Sequence, residues 1–82
     1  MNQNQPNPFR NQTSIGYTLP ANSPIELILR DEAGRVLQVI KRDGKAGYNE
    51  IQLNELETAP GFIYYQLITQ SGTKSKKMIR VE

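Results

Sequence analysis

Apolar and polar residues alternate with a period of two through most of this chain, which predicts a series of short β-strands. Ile15, Tyr17 and Leu19 alternate with Ser14, Gly16 and Thr18, giving a half-buried strand over residues 13–19 that Pro20 ends. Residues 21–24 (Ala-Asn-Ser-Pro) read as a turn. In the next strand, residues 25–30, Ile25, Leu27 and Leu29 share one face. Asp31-Glu32-Ala33-Gly34 then supplies hairpin chemistry, with Asp31 at the first turn position and Gly34 at the left-handed position. Residues 35–41 form the return strand, but Val36, Leu37, Val39 and Ile40 make no single stripe, so its register stays open.

Residues 42–47 read as a polar loop carrying two glycines. Tyr48 begins a strand with Ile51 and Leu53 inward, and the connection over residues 54–60 tucks Leu56 under the sheet. Gly61 opens the strongest strand, residues 62–69. Ile63, Tyr65 and Leu67 line one of its faces and Phe62, Tyr64 and Ile68 the other, which marks a central strand. After a turn at Ser71-Gly72, residues 73–81 form a closing strand with Ile79 and Val81 on the face opposite Lys74, Lys76, Met78 and Arg80. About seven short strands without a helical period of 3.6 predict an all-β, immunoglobulin-like antiparallel β-sandwich.

Pro6-Asn7-Pro8-Phe9 closes a polar, Asn/Gln-rich tract and leads straight into the first strand. The prolines fix φ and bias Gln5 and Asn7 toward extended conformations. Residues 1–10 therefore read as a stiff linker anchored by Phe9, and residues 11–82 as the domain. The expectation is a module attached behind something larger.

With 82 residues the chain holds one small domain. An apolar fraction of 37%, arriving in bursts between Gly, Pro and Asn, favours a folded domain over disorder. The absence of Cys and His removes thiolate nucleophiles, imidazole bases and most zinc sites, so no enzyme, cofactor or metal is expected. Glu26, Asp31 and Glu50 have no spacing that sets two carboxylates across a cleft. Asn11-Gln12-Thr13 matches a glycosylation acceptor pattern that is too short to weigh. A net charge of +2 is too small to imply nucleic acid. The basic residues do cluster, however, at Lys74, Lys76, Lys77 and Arg80. No secretory signal and no run long enough to span a membrane is present, so an exported protein would carry its signal upstream.

The order of these landmarks resembles a known family. Pro6-Asn7-Pro8-Phe9, Ile15-Gly16-Tyr17-Thr18-Leu19-Pro20, Asp31-Glu32-Ala33-Gly34-Arg35, Gly47-Tyr48, residues 61–67 and Lys76-Lys77-Met78-Ile79 are similar to the C-terminal sorting domain of type IX secretion cargo. Each motif alone is weak, but their order and spacing cover nearly the whole chain. Two departures stand out. Ile63 occupies the place of a tyrosine often found there, with Tyr65 nearby, and the chain ends Arg80-Val81-Glu82 rather than in apolar residues and Lys.

The resemblance implies an address label on a secreted protein of the Bacteroidota type, in the periplasm in transit and then at the cell surface or secreted. It implies as partners a covalently attached N-terminal cargo, an outer-membrane translocon with its shuttle protein, and a sortase-like signal peptidase. Self-association stays open. The alternative is a retained immunoglobulin-like structural or ligand-binding module of a cell-surface or flagellar hook-cap protein, with a carbohydrate-binding module third.

Several residues admit both a functional and a structural reading. Lys74, Lys76, Lys77, Met78, Ile79, Arg80 and Val81 are the candidate translocon-reading strand, by β-augmentation of an edge. Lysines on an edge strand also guard it against unwanted pairing. Asp31, Gly34 and Arg35 read first as turn residues, and Gly47 and Gly61 as strand-opening glycines. Tyr48, Phe62, Tyr64 and Tyr65 suit a packed core better than a sugar-stacking platform. Peptidase access is expected at or before residues 2–5, where a linker backbone is exposed.

Overall fold

Each alternating segment buries one face, and the buried faces find one another across two sheets. A computed structural model describes residues 1–54 and 60–81. Among these residues every regular element is a strand: β1 (Gln12–Leu19), β2 (Ser23–Arg30), β3 (Val36–Gly44), β4 (Gly47–Asn54), β5 (Gly61–Thr69) and β6 (Gly72–Arg80). β1 pairs with β4, and β3, β2, β5 and β6 form a second sheet in that order, with every pairing antiparallel. The hairpins β2–β3 and β5–β6 thus flank the nonlocal pair β2–β5. This is the immunoglobulin-like sandwich: β1 and β4 take the places of strands B and E, and the larger sheet those of C′, C, F and G.

The place of strand A is filled by the residues ahead of β1. Gln5 bridges Ser14 antiparallel, and Phe9 bridges Arg80 in parallel. The chain therefore runs first along the edge of β1 and then along the edge of β6, changing sheets at Pro6-Asn7-Pro8. About seven strands were expected; six and this two-part segment are found among the described residues.

Between the sheets, Ile15, Tyr17 and Leu19 of β1 and Ile51 and Leu53 of β4 face Ile25, Leu27 and Leu29 of β2 and Ile63, Tyr65 and Leu67 of β5. Phe9 and Met78 close the same core from the β6 side, 1% and 0% exposed. Burying these two side chains contributes roughly 3–6 kcal/mol, a sizeable part of what a small domain has in total. Leu37 and Ile40 of β3 pack against its other flank. β5 is central as its two bulky faces predict, lying between β2 and β6.

The structure settles two points the sequence leaves open and changes one local expectation. On β6 it is Met78 that points inward, because Met78 lies opposite the inward Ile63 in the register, while Ile79 and Val81 stay partly exposed. The residues read as a polar loop after Lys41 continue β3 to Gly44, with Arg42 opposite Ile25 and Asp43 opposite Pro24. An edge strand with one side in water accommodates such charged residues. The mixed apolar pattern of β3 has a cause in its register, which shifts between Leu29 and Arg30 and leaves Leu37 as an extra residue that turns toward the core. The expected tucking of Leu56 lies outside the described residues.

Candidate functional site

The opening Pro6–Phe9 motif and the closing strand meet along one side of the sandwich, where the leading tract, β1 and β6 converge. Gln5 exchanges two backbone hydrogen bonds of 2.8 Å with Ser14, and the Asn2 amide donates to the Gly16 carbonyl at 2.7 Å. Asn4 is the buried polar residue of this tract, 1% exposed. Its side-chain amide donates to the Pro6 carbonyl at 2.9 Å and to the Thr13 hydroxyl at 3.0 Å, and that hydroxyl donates to the Pro6 carbonyl at 2.8 Å. The Tyr65 hydroxyl reaches out of the core to accept from the Asn4 amide at 3.0 Å and donate to the Asn2 carbonyl at 3.3 Å. No buried side-chain polar atom among the described residues is left without a partner, as a closed network requires. The stretch where exposed backbone was expected for a peptidase is thus bonded to the sheet.

Beyond the two prolines the same tract engages β6. The Ile79 amide donates to Asn7 Oδ1 at 2.9 Å, the Phe9 amide to the Ile79 carbonyl at 2.9 Å, and the Val81 amide to the Phe9 carbonyl at 2.7 Å. Gln3 donates to the Lys77 carbonyl at 2.9 Å, and Arg80 Nε to the Arg10 carbonyl at 2.9 Å. Of the candidate reading strand, the amide and carbonyl of Ile79, the amide of Val81 and the carbonyl of Lys77 are therefore occupied by the chain itself.

The cations of β6 divide between its two faces. Lys74 and Lys76 lie opposite Leu67 and Tyr65, on the side that carries Met78 inward, and are exposed at its rim. Lys77 lies opposite Tyr64 on the outer face, and its ammonium sits 5.0 Å from the centre of the Phe62 ring, close enough for a cation–π contact. The three lysines make no ion pair with a described residue.

Other predicted positions serve the frame. Asp31 Oδ1 accepts from the Ala33 and Arg35 amides at 3.0 and 2.9 Å, and Oδ2 meets Arg35 Nε at 3.0 Å. The Arg35 amide is the largest cause holding the Asp31 carboxyl below its usual range, with smaller help from the Arg35 side chain and the Ala33 amide against some desolvation. Gly34 has φ +85, the left-handed conformation this turn demands. Gly47 and Gly61 open β4 and β5 with φ +94 and +143.

The aromatic set is split. Tyr65 is in the core, and burial raises its pKa, partly offset by the Asn4 amide. Tyr48, Phe62 and Tyr64 are 60%, 38% and 45% exposed, contrary to the core reading. They do not form one platform either. Tyr48 covers Gly16 on the outside of the β1–β4 sheet, where a Cβ on Gly16 would meet its ring. Phe62 and Tyr64 lie on the outside of the other sheet, in register with Ile79 and Lys77. A carbohydrate platform built from all three is contradicted by this placement.

Sequence reasoning missed Gln3, Asn4 and Thr13. Nothing in an Asn/Gln tract distinguishes a side chain that will be buried from its neighbours. Among the described residues no group of three or more Asp, Glu, His or Cys side chains comes together as a metal site. No family model, curated protein or solved structure matches the chain.

Proposed function

We propose that this chain is a C-terminal sorting domain of type IX secretion cargo, a folded label that an attached passenger carries to the outer membrane. The ordered series of motifs from Pro6 to Ile79 is what suggests it. One structural observation supports it most: the two ends of that series bind each other, Asn7 to Ile79 and Phe9 to Val81. The opening motif and the closing strand then act as one folded unit, so a receptor that reads β6 also reads whether the label is complete.

On this reading the translocon and its shuttle protein recognise β6 and its exposed lysines. The sortase-like peptidase cuts ahead of the bonded tract rather than inside it, because residues 2–9 are held in the fold. The second reading is a retained immunoglobulin-like module of a surface or hook-cap assembly. It is favoured by the apolar outer face of Val36, Val39, Phe62 and Tyr64, 38% to 47% exposed, which suits a neighbouring subunit.

The test is to fuse residues 1–82 to a periplasmic reporter in a type IX-competent bacterium and in a translocon mutant. Surface delivery only in the competent strain is the expected result. Equal delivery in both strains, or in neither, defeats the sorting reading.

A further inference from the structure

Residues 73–77 of β6 present an open stretch of sheet edge. Hydrogen-bonding direction alternates along a strand, and the amides of Ile79 and Val81 point away from β5 to Asn7 and Phe9. The amides of Thr73, Ser75 and Lys77 and the carbonyls of Thr73 and Ser75 therefore point the same way. None of these groups has a partner among the described residues; Gln3 takes the Lys77 carbonyl, and the leading tract reaches no further along β6.

Beside this edge lies a groove of about 300 Å³ between the end of β1 and the start of β6, lined by Met1, Tyr17, Leu19, Leu67, Thr73 and Lys74. Its walls are largely apolar, and its rim is basic. Lys74 and Lys76 stand on the groove side and Lys77 on the outer side. Residues 1–25 and β6 contain no carboxylate to neutralise them.

That charge selects the occupant. A second copy of β6 pairing antiparallel about Ser75 would set Lys74 against Lys76 of its partner, a like-charge contact that opposes self-pairing. A strand of opposite charge gains where a copy loses. Side chains of an added strand alternate between the two faces, so one set meets the groove with Lys74 and Lys76 at its rim while the other meets Lys77 on the outer face.

We propose that residues 73–77 and the adjoining groove bind an extended peptide of alternating acidic and apolar side chains, added as a strand where the leading tract ends. The proposal deepens the sorting reading and rests on it for its biological role. The binding itself is measured on the isolated domain, so the two stand or fall separately: export without peptide binding overturns only this proposal, and peptide binding without export only the sorting reading.

The experiment titrates the isotope-labelled 82-residue domain with acetyl-Glu-Val-Glu-Val-Glu-Val-amide and with its Lys-for-Glu counterpart, following backbone amide resonances. The acidic peptide is expected to shift Thr73, Ser75 and Lys77 saturably and to slow their hydrogen exchange, and the basic peptide to leave them unmoved. Reversing Lys74, Lys76 and Lys77 to Glu should weaken the acidic peptide about tenfold or more, because the basic edge it approaches becomes acidic. Ser75→Pro removes an outward N–H without breaking the ladder to β5 and should weaken it similarly. No shift at these amides up to about 1 mM peptide, equal binding of the two peptides, or unchanged affinity in a folded Ser75→Pro variant overturns the proposal. Should that variant not fold, unchanged affinity in the charge-reversed domain overturns it.

Discussion

Replacing Tyr65 with Phe removes one oxygen and tests whether the leading tract belongs to the fold. The ring stays in the core, so the apolar burial of β5 is retained. What changes is the Asn4 amide, which loses its acceptor at 3.0 Å in a residue only 1% exposed. A buried donor left without a partner costs about 1–3 kcal/mol. The Asn2 carbonyl, in an exposed residue, turns to water instead and adds little. The expected loss is about 2 kcal/mol, or about 10 °C in Tm for a domain of this size.

Urea unfolding should show a lower midpoint at unchanged slope, and the Asn4 amide should lose hydrogen-exchange protection. A pH series adds a second readout. Burial raises the Tyr65 pKa above its ordinary 10.0. Its contribution is therefore fully present below pH 10.0 and is lost as pH rises through the folded value. The wild type should lose stability relative to the Phe variant in that alkaline window. A cost under about 0.5 kcal/mol, with Asn4 protection unchanged, refutes the reasoning.

Phe9→Ala empties a core position and should cost about 3–5 kcal/mol, against a net stability of about 0.05–0.15 kcal/mol per residue. Thermal melting should then show a Tm lower by more than about 12 °C, and a loss under about 1 kcal/mol would place Phe9 outside the core. The Asp31 carboxyl, followed by NMR, should titrate below its ordinary 3.8. Because the folded pKa is the lower one, Asp31 supports the turn above the unfolded value and that support is lost as pH falls through the folded value. A midpoint at or above 3.8 would remove the Arg35 and Ala33 contacts from the account.

Clean alternation made β1, β2, β4 and β5 legible as strands, since a period of two groups the side chains of each face, but Tyr48, Phe62 and Tyr64 suited a core as well as a wet face and stand exposed. The turn at Asp31 and Gly34 was legible for the same reason that it forms: an Asp acceptor and a residue free at positive φ. The inward face of β6 was not legible, because Ile79 and Val81 look more like core than Met78 does. The register from the tight β5–β6 hairpin overrides that preference and sets Met78 opposite Ile63. Arg42 and Asp43 look like loop residues, yet an edge strand needs only one satisfied side. Least legible was the binding of residues 2–5. It depends on backbone groups and on Asn4, Thr13 and Tyr65, whose meeting has no periodic trace in the chain. The candidate site inherits that difficulty, because which part of β6 is covered and which is open follows from the tract.

Native-state hydrogen exchange along β6 tests this arrangement most directly. The amides of Ile79 and Val81, bonded to Asn7 and Phe9, should be protected along with the inward-bonded Lys74, Lys76 and Met78, while Thr73, Ser75 and Lys77 exchange fast. Fast exchange at Ile79 and Val81 would mean that the leading tract does not pair with β6, and would contradict the account.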